Sequence, residues 1–167
     1  PTDPNFEWGG YYSGINYCNK VLEHGEAMTQ EGKEVDPSFR RGDWLPIKAE
    51  MIALRALYYY ILVKSVMNVP YVTQSISTDA EAFASRIGTT QGVEILCDLI
   101  KQLEEVKMQA SRNFTTKKDQ KGRFTRRAVH ALLADIYLWR GCMLQKSVAK
   151  KDSLFNDSTG EHYERYL

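Results

Sequence analysis

Residues 43–70, DWLPIKAEMIALRALYYYILVKSVMNVP, decide the fold of this chain. Apolar residues recur every three or four positions, which predicts a helix, and between Met51 and Val63 they cover almost its whole circumference. A helix that is apolar on every side is buried on every side, so we expect this one, over residues 43–67, at the centre of the molecule. Pro46 falls in the predicted first turn, where its missing N–H costs nothing.

The ends of the predicted helices carry residues that cap or stop a helix. Asp43 is the expected N-cap of the central helix, and Pro70 ends that segment because proline biases the residue before it toward an extended conformation. Thr125 is the expected N-cap of a later helix, and either Thr89 or Thr90 that of the helix between them. Three predicted helices therefore each have a local start or stop signal.

Three further segments share the helical periodicity, and little in the chain alternates with period two. Polar loops are expected at 71–88 and 111–122. Residues 145–167 are expected to form a tail, which ends in the start of a truncated helix from Glu161. The predicted helices cover residues 7–28, 43–67, 89–110 and 125–144. This pattern predicts an all-α domain over residues 1–167 in which helical hairpins stack side by side, as in a tetratricopeptide-like α-α superhelix.

Composition excludes several classes of protein. The 167 residues carry 22 basic and 21 acidic side chains, a balance that gives no overall reason to expect nucleic acid or an anionic membrane as partner. Cys18, Cys97 and Cys142 are widely spaced, which favours neither a disulfide framework nor a zinc site. The chain begins at Pro1 without Met or an apolar leader, so we expect it not to start at its native N-terminus.

Four segments, in this order, resemble motifs of the RagB/SusD family of surface nutrient-binding lipoproteins. The family usually has Gly-Asp-Val-Pro where this chain has Met67-Asn68-Val69-Pro70, and Asn68 is the residue expected to take the left-handed conformation of the missing glycine. The segments are Trp8-x3-Tyr12-x2-Ile15-x3-Asn19; Ala49-Glu50-x3-Leu54-Arg55-Ala56-x2-Tyr59 with Val69-Pro70; Arg86 followed by Ile95-x2-Asp98-Leu99; and Gly122-Arg123-x-Thr125 with Ala131-Leu132-Leu133-Ala134.

The resemblance, which covers residues 7–140, implies a function. Proteins of this family are anchored by a lipid to the outer face of the outer membrane, associate with a SusC-like TonB-dependent transporter, and bind an oligosaccharide or another nutrient without catalysis or cofactor. Family members are several times longer, so we expect this chain to be their paired-helix core, trimmed at both ends. The motif residues are then structural, and the resemblance transfers no ligand-binding residue.

Arg55 is the most informative polar residue, because it stands in an otherwise apolar helix. A buried guanidinium must be paired, since leaving it alone costs several kcal/mol. The acids expected to pair with it are Asp98, Asp135 and Glu50. We therefore interpret Arg55 as a structural residue rather than as an anion-binding one.

Aromatic side chains are the candidate sugar contacts, since flat amphipathic rings suit the faces of sugars. Most of them fall on predicted buried faces. Trp44 and Tyr71 lie at a helix start and just past a helix end, where a ring can be half exposed. These two are the candidate ligand-binding residues.

Other motifs support no further chemistry. The basic run that begins at Lys117 is interpreted as a solvated loop and helix entry, with contact to acidic transporter loops or lipopolysaccharide phosphate as an alternative. The sequence contains no metal-ligand, phosphate-loop or nucleophile motif, so nothing in it supports an enzyme. The alternative to nutrient binding is a tetratricopeptide-like scaffold that binds protein segments and no sugar.

Overall fold

The computed structural model describes residues 8–29, 38–78 and 88–159. They form five helices and one pair of two-residue strands. The elements are α1 (Trp8–Met28), α2 (Arg41–Val66), β1 (Val69–Pro70), β2 (Thr89–Thr90), α3 (Gly92–Val106), α4 (Lys117–Gly122) and α5 (Arg126–Thr159).

The helices pack in the order α1, α2, α3, α5, with α2 in the middle. Between Met51 and Val63 every α2 residue is buried or partly buried and none is exposed, as the all-round apolar segment predicts, and many residues of the helix are buried. They include Ala49, Ile52, Ala53, Ala56, Tyr59, Tyr60, Leu62 and Val63. The stacked-hairpin, all-α architecture is confirmed.

Two predicted helix starts are displaced, because a side-chain cap can act from inside the helix as well as before it. Asp43 is the third residue of α2 rather than its N-cap; its carboxylate accepts the Arg40 N–H at 3.2 Å, one half of a capping box. Pro46 consequently lies in the second turn. Thr89 and Thr90 form β2 and leave the N-cap position of α3 to Gln91.

At the other predicted helix start, Thr125 lies just before α5, and its hydroxyl accepts the Ala128 N–H at 3.3 Å. The predicted loop over 111–122 contains the short helix α4, with the Thr116 side chain as its cap.

The predicted end of the last helix at residue 144 is wrong, since α5 continues to Thr159. The apolar periodicity stops near Gln145, but residues 146–159 include Ala and Lys, contain no glycine or proline, and are followed by Gly160. Without glycine or proline to end it, the helix continues beyond the point at which the apolar periodicity stops. The predicted truncated helix from Glu161 lies outside the described residues.

A tight turn at Met67 ends α2. Met67 has φ 69° and ψ −64°, and the Asn68 N–H donates to the Val66 carbonyl oxygen at 2.9 Å, the geometry of a γ-turn. The residue with positive φ is therefore Met67, at the position of the family's glycine, and the expectation that Asn68 takes it is wrong. Asn68 instead accepts the Gly92 N–H through its Oδ1 at 3.3 Å, which joins the end of α2 to the start of α3.

We expect Met67→Gly to stabilise the chain by about 1 kcal/mol, because a non-glycine residue in a sparsely populated backbone region is strained by roughly 1–3 kcal/mol. The gain is partly offset by the entropy that glycine loses on folding. The Met67 side chain is 56% exposed, so little packing is lost. Urea unfolding measures the effect. Asn68→Gly is the matched control and should destabilise; a loss of stability in Met67→Gly would contradict the prediction.

Candidate functional site

Residues 71–78, the described part of the loop after α2, lie against α1; we call this segment the strap. Asn16 binds it through a pair of bonds: Nδ2 donates to the Ile76 carbonyl oxygen and Oδ1 accepts the Ile76 N–H, both at 2.8 Å. Asn19 donates to two strap carbonyl oxygens, at 2.9 and 3.3 Å, and Glu23 accepts a strap N–H at 2.7 Å. These three residues share one face of α1, as their spacing of three and four positions requires.

Arg55 lies beneath the strap, 7% exposed, and connects three elements. Its Nη1 donates to Asn19 Oδ1 at 2.5 Å and more weakly to the Thr73 carbonyl oxygen at 3.4 Å. Its Nη2 donates to Gln102 Oε1 at 2.7 Å, and Gln102 Nε2 donates to Asp98 Oδ2 at the same distance. This buried polar cluster fixes the strap relative to α1, α2 and α3.

The predicted ion pair of Arg55 with Asp98, Asp135 or Glu50 is wrong. Within the described residues no carboxylate oxygen lies within 4.0 Å of the guanidinium. Asp98 is reached only through Gln102. Neutral amide oxygens match the planar donor fork without removing a second charge from water, which is the larger cost in a buried pair.

Tyr59 is a second contact between the core and the strap. Its ring is fully buried, and its hydroxyl donates to the Val72 carbonyl oxygen at 2.8 Å while accepting the Val72 N–H at 2.7 Å. Burial raises the pKa of the Tyr59 hydroxyl to about 12. Tyr12 packs edge-on against Tyr59 and donates to the Pro70 carbonyl oxygen at 2.9 Å. The motif residues Tyr12 and Pro70 are thus both parts of the scaffold.

Tyr71, the first predicted ligand contact, is half-buried at the base of the strap. Its ring packs against Tyr59 with centroids 4.8 Å apart, and its hydroxyl donates to Asp98 Oδ2 at 2.6 Å. Burial and then the bond to Asp98 raise the pKa of Tyr71 above its ordinary value. One edge and the hydroxyl are therefore committed to the protein, while part of the ring stays accessible.

Trp44, the second predicted ligand contact, is 2% exposed. Its ring lies against α1 at Gly25, where an added Cβ would come within 2.2 Å of the indole. Its Nε1 donates to Glu26 Oε2 at 3.0 Å. The expectation of a half-exposed ring is wrong, because Gly25 leaves a space on α1 that the indole fills. A ring buried in this way has no face to offer a sugar.

We expect Glu26 to make stability depend on pH in the acid range. The Trp44 indole N–H, and then Lys48, hold the pKa of Glu26 below its ordinary value of 4.5. A lowered pKa in the folded state contributes stability above the unfolded-state pKa and loses it as the pH falls through the folded-state pKa. Urea unfolding at pH 7 and below pH 4 should therefore show a smaller acid loss in Glu26→Gln than in wild type.

The matched control for this prediction is Lys48→Met, which removes the ion pair at 3.0 Å but keeps the indole bond. Because the indole bond is the largest single cause of the lowered pKa, Lys48→Met should retain part of the acid loss, and Glu26→Gln should remove more of it. An acid dependence in Glu26→Gln equal to that of wild type would contradict the assignment.

Glu50 and Arg123 form the other polar anchor of the scaffold. The carboxylate accepts Nη2 at 2.6 Å and Nε at 3.1 and 3.2 Å, and it also accepts the Phe124 N–H at 3.3 Å. The pair ties the turn between α4 and α5 to the central helix. Gly122, the other motif residue of this turn, is exposed, and an added Cβ would meet nothing within 4 Å.

A shallow groove of about 260 Å³ lies between α1 and the strap. Its polar residues are Tyr12, Ser13, Asn16 and Asn19, and three of these four already direct their hydrogen bonds to the strap or to Pro70. Ser13 is exposed and leaves one hydroxyl for a ligand. Most polar groups of the groove are therefore used to pack α1 against the strap. A sugar site needs several polar groups that converge on the ligand, and the groove does not offer them.

Neither a metal site nor a membrane span is found in the part of the chain that the structure describes. No three His, Cys, Asp or Glu side chains among those residues are grouped to hold an ion. Over residues 8–29, 38–78 and 88–159, none of the helices has the length and apolar content needed to cross a bilayer.

Three polar residues of the site have no signal in the sequence. The apolar periodicity places these residues on exposed helix faces, where polar side chains are ordinary; they are Asn16, Glu26 and Gln102. Only the strap and Trp44, which approach from elsewhere in the chain, give them partners. Trp8, a motif residue and therefore expected to be structural, stacks on Tyr12 with ring centroids 6.4 Å apart.

Stacked helical hairpins, tied by a buried arginine–amide cluster and an external strap, define a tetratricopeptide-like helical fold. A model of the SusD-like family, described as "Starch-binding associating with outer membrane", matches residues 2–138. The chain therefore belongs to the SusD-like family, as its motifs predict. No curated protein matches it in sequence.

Solved structures agree with this assignment. A laminarin-binding SusD-like protein is 26% identical with a TM-score of 0.64, over 83% of this chain and 27% of its own. A SusD-like carbohydrate-binding protein from Bacteroides fragilis is 25% identical with a TM-score of 0.61, over 90% of this chain and 26% of its own. A surface glycan-binding protein A from Bacteroides uniformis shares the fold, at 20% identity and a TM-score of 0.62, over 94% of this chain and 32% of its own.

The chain spans only about a quarter to a third of the length of these structures.

Proposed function

We propose that this chain is the helical scaffold of a cell-surface glycan-binding protein. In this proposal the whole protein is lipid-anchored at the outer membrane and captures glycan or another nutrient, without catalysis, for import by a SusC-like TonB-dependent transporter. Membership of the SusD-like family supports glycan binding, and two of the related structures are a laminarin-binding and a carbohydrate-binding SusD-like protein.

The polar groups near the strap support a separation of roles, in which these helices form the scaffold and other segments contact the glycan. Asn16, Asn19, Arg55 and Gln102 direct their hydrogen bonds to the protein itself. A glycan site needs polar groups that are free to converge on the ligand. The scaffold thus holds the strap in place, and we assign most of the glycan contacts to segments beyond these helices.

Tyr71 is the position on this chain that we propose for ring stacking. It is the predicted candidate that keeps an accessible ring, and its hydroxyl bond to Asp98 holds that ring in one orientation. Stacking on a sugar needs the ring but not the hydroxyl. Tyr71→Phe should therefore retain any sugar contact, and Tyr71→Leu should lose it.

A glycan array, followed by calorimetry on the hits, tests the proposal with this chain and with the full-length gene product side by side. We expect the full-length product to bind, and this chain to bind weakly or not at all. Equal binding by both would place the site on these helices, and the Tyr71 pair of variants would then locate it. Failure of both to bind any glycan would overturn glycan capture.

The second candidate function is a scaffold that binds protein segments. Exposed aromatic and aliphatic side chains favour it: Leu138 on α5 is 71% exposed, and Tyr17 on α1 is 70% exposed. Pull-down from outer-membrane extracts with wild type and with Leu138→Ser separates the two readings. Recovery of a β-barrel transporter fits the first function, whereas saturable binding of unrelated peptides without any glycan binding fits the second.

A further inference from the structure

The charge of this chain is unevenly distributed. Residues 107–127 contain eight basic side chains and one acidic one, a formal charge of +7, whereas the other 146 residues carry 14 basic and 20 acidic, a charge of −6. We call this segment the basic end. The chain's overall charge of +1 therefore conceals a strong separation of charge.

Part of this charge has a structural explanation. Arg123 is paired with Glu50, and Lys107 with Glu104. Arg126 donates to the carbonyl oxygens of Met108 and Ala110, just past the C-terminal end of α3, where a cation is favoured. Arg126 therefore joins the end of α3 to the start of α5, Arg123 ties the turn before α5 to α2, and Lys107 is bonded within the end of α3.

Five cations remain, and the structure describes the side chains of four of them: Arg112, Lys118, Lys121 and Arg127. All four are exposed, and none forms an ion pair with another described residue. The acidic groups of this region are Glu104, which is paired, Asp119, which is bonded to the Thr116 hydroxyl, and the exposed Glu105. The remaining positive charge is thus largely uncompensated.

The placement of Arg127 is also unfavourable to the fold. It lies in the first turn of α5, which has no acidic residue and where the helix dipole favours an anion. The position of Arg126, its neighbour in the same turn, is explained by its bonds to the carbonyl oxygens at the end of α3. No such bond explains the position of Arg127. A local rule broken without compensation in the fold is a sign of function.

We propose that the basic end binds an anionic glycan, one that carries carboxylate or sulfate groups. The cations are spread over a loop, a short helix and the start of α5, which suits a polymer with repeated charges better than a single small anion. Arginine's planar fork matches the two oxygens of a carboxylate or sulfate. A bilayer contact would also need several apolar groups that insert into the membrane. Among the described residues of this segment, Met108 is the one large hydrophobic residue that is exposed, which favours a soluble polymer over a bilayer.

This inference rests on the proposed function only in taking a glycan as the ligand. The probes are heparin for sulfate and polygalacturonate for carboxylate, with laminarin as the neutral polymer and phosphatidylglycerol vesicles as the lipid surface. The variant replaces Arg112, Lys118 and Arg127 by Gln, one cation from each segment. The control replaces Lys20, Arg41 and Lys101 by Gln, which removes the same charge elsewhere.

We expect the wild-type chain to bind heparin or polygalacturonate with an affinity that falls as salt rises, and to bind laminarin less well. The basic-end variant should lose about tenfold to a hundredfold in affinity, and the control less than about threefold. The basic-end variant should also be at least as stable as wild type at low salt, because mutual repulsion is relieved.

Three results would overturn the inference: no binding of either anionic polymer, equal losses in the two triple variants, or a preference for anionic vesicles over both polymers. A less stable basic-end variant would show that these cations are structural, which also overturns it. Binding of a neutral glycan by the full-length product would leave the proposed function intact in each of these cases.

Discussion

Replacement of Arg55 by methionine should lower the free energy of unfolding by about 2–6 kcal/mol, because two amide oxygens inside the protein lose their donor. Methionine fills much of the space but leaves Asn19 Oδ1 and Gln102 Oε1 without their donor. Each buried oxygen without a partner costs about 1–3 kcal/mol. Urea unfolding followed by circular dichroism measures the total.

Two variants make the Arg55 experiment specific. Arg41→Met removes an exposed arginine from the same helix and should change stability by less than about 0.5 kcal/mol. Arg55→Lys keeps the charge but cannot span Asn19 and Gln102 at once, so it should recover only part of the loss. A change below about 1 kcal/mol in Arg55→Met would contradict a central role for the cluster.

Trp44→Ala should destabilise the chain by about 3–5 kcal/mol, the range for truncating a large buried aromatic side chain. The loss includes the packing against Gly25 and the indole bond to Glu26. The same variant, in its folded fraction, should leave any glycan affinity unchanged, because the ring is buried. Thermal unfolding and calorimetry check the two parts separately.

Gly25 gives this prediction a reciprocal test. Gly25→Ala should destabilise the wild type, since the new Cβ would lie 2.2 Å from the indole, but it should be tolerated in the Trp44→Ala background. Gly10→Ala on the same helix meets nothing within 4 Å and should be neutral or stabilising. Additive effects of Gly25→Ala and Trp44→Ala would show that the two residues are not in contact.

The order and type of the long helices could be predicted because the signal is local. The all-round apolar stretch in α2 requires burial on all sides, and only neighbours on both sides supply it. The end of α5 could not be predicted from the same signal, because residues 146–159 remain helical after the apolar periodicity has stopped and contain no glycine or proline to end the helix.

The candidate site was predictable only in part. The sequence shows that Arg55 is buried and must be paired, but it points to carboxylates, whereas the partners are the amides Asn19 and Gln102, 36 and 47 positions away. The two candidate ligand-binding residues differ in burial for a similar reason, since residues far away in the chain decide what covers them. Trp44 is covered by a different helix, and Tyr71 is not fully covered.

The sequence by itself determined the stacked-hairpin fold, the SusD-like family and the buried state of Arg55, because periodicity and motif spacing are properties of the chain. The tertiary structure alone decided which groups pair, that Met67 takes the turn with positive φ, and that the strap is fixed to α1. Periodicity states which face of a helix is covered. It does not state what covers it, since hydrogen-bond partners far apart in the chain are chosen by packing.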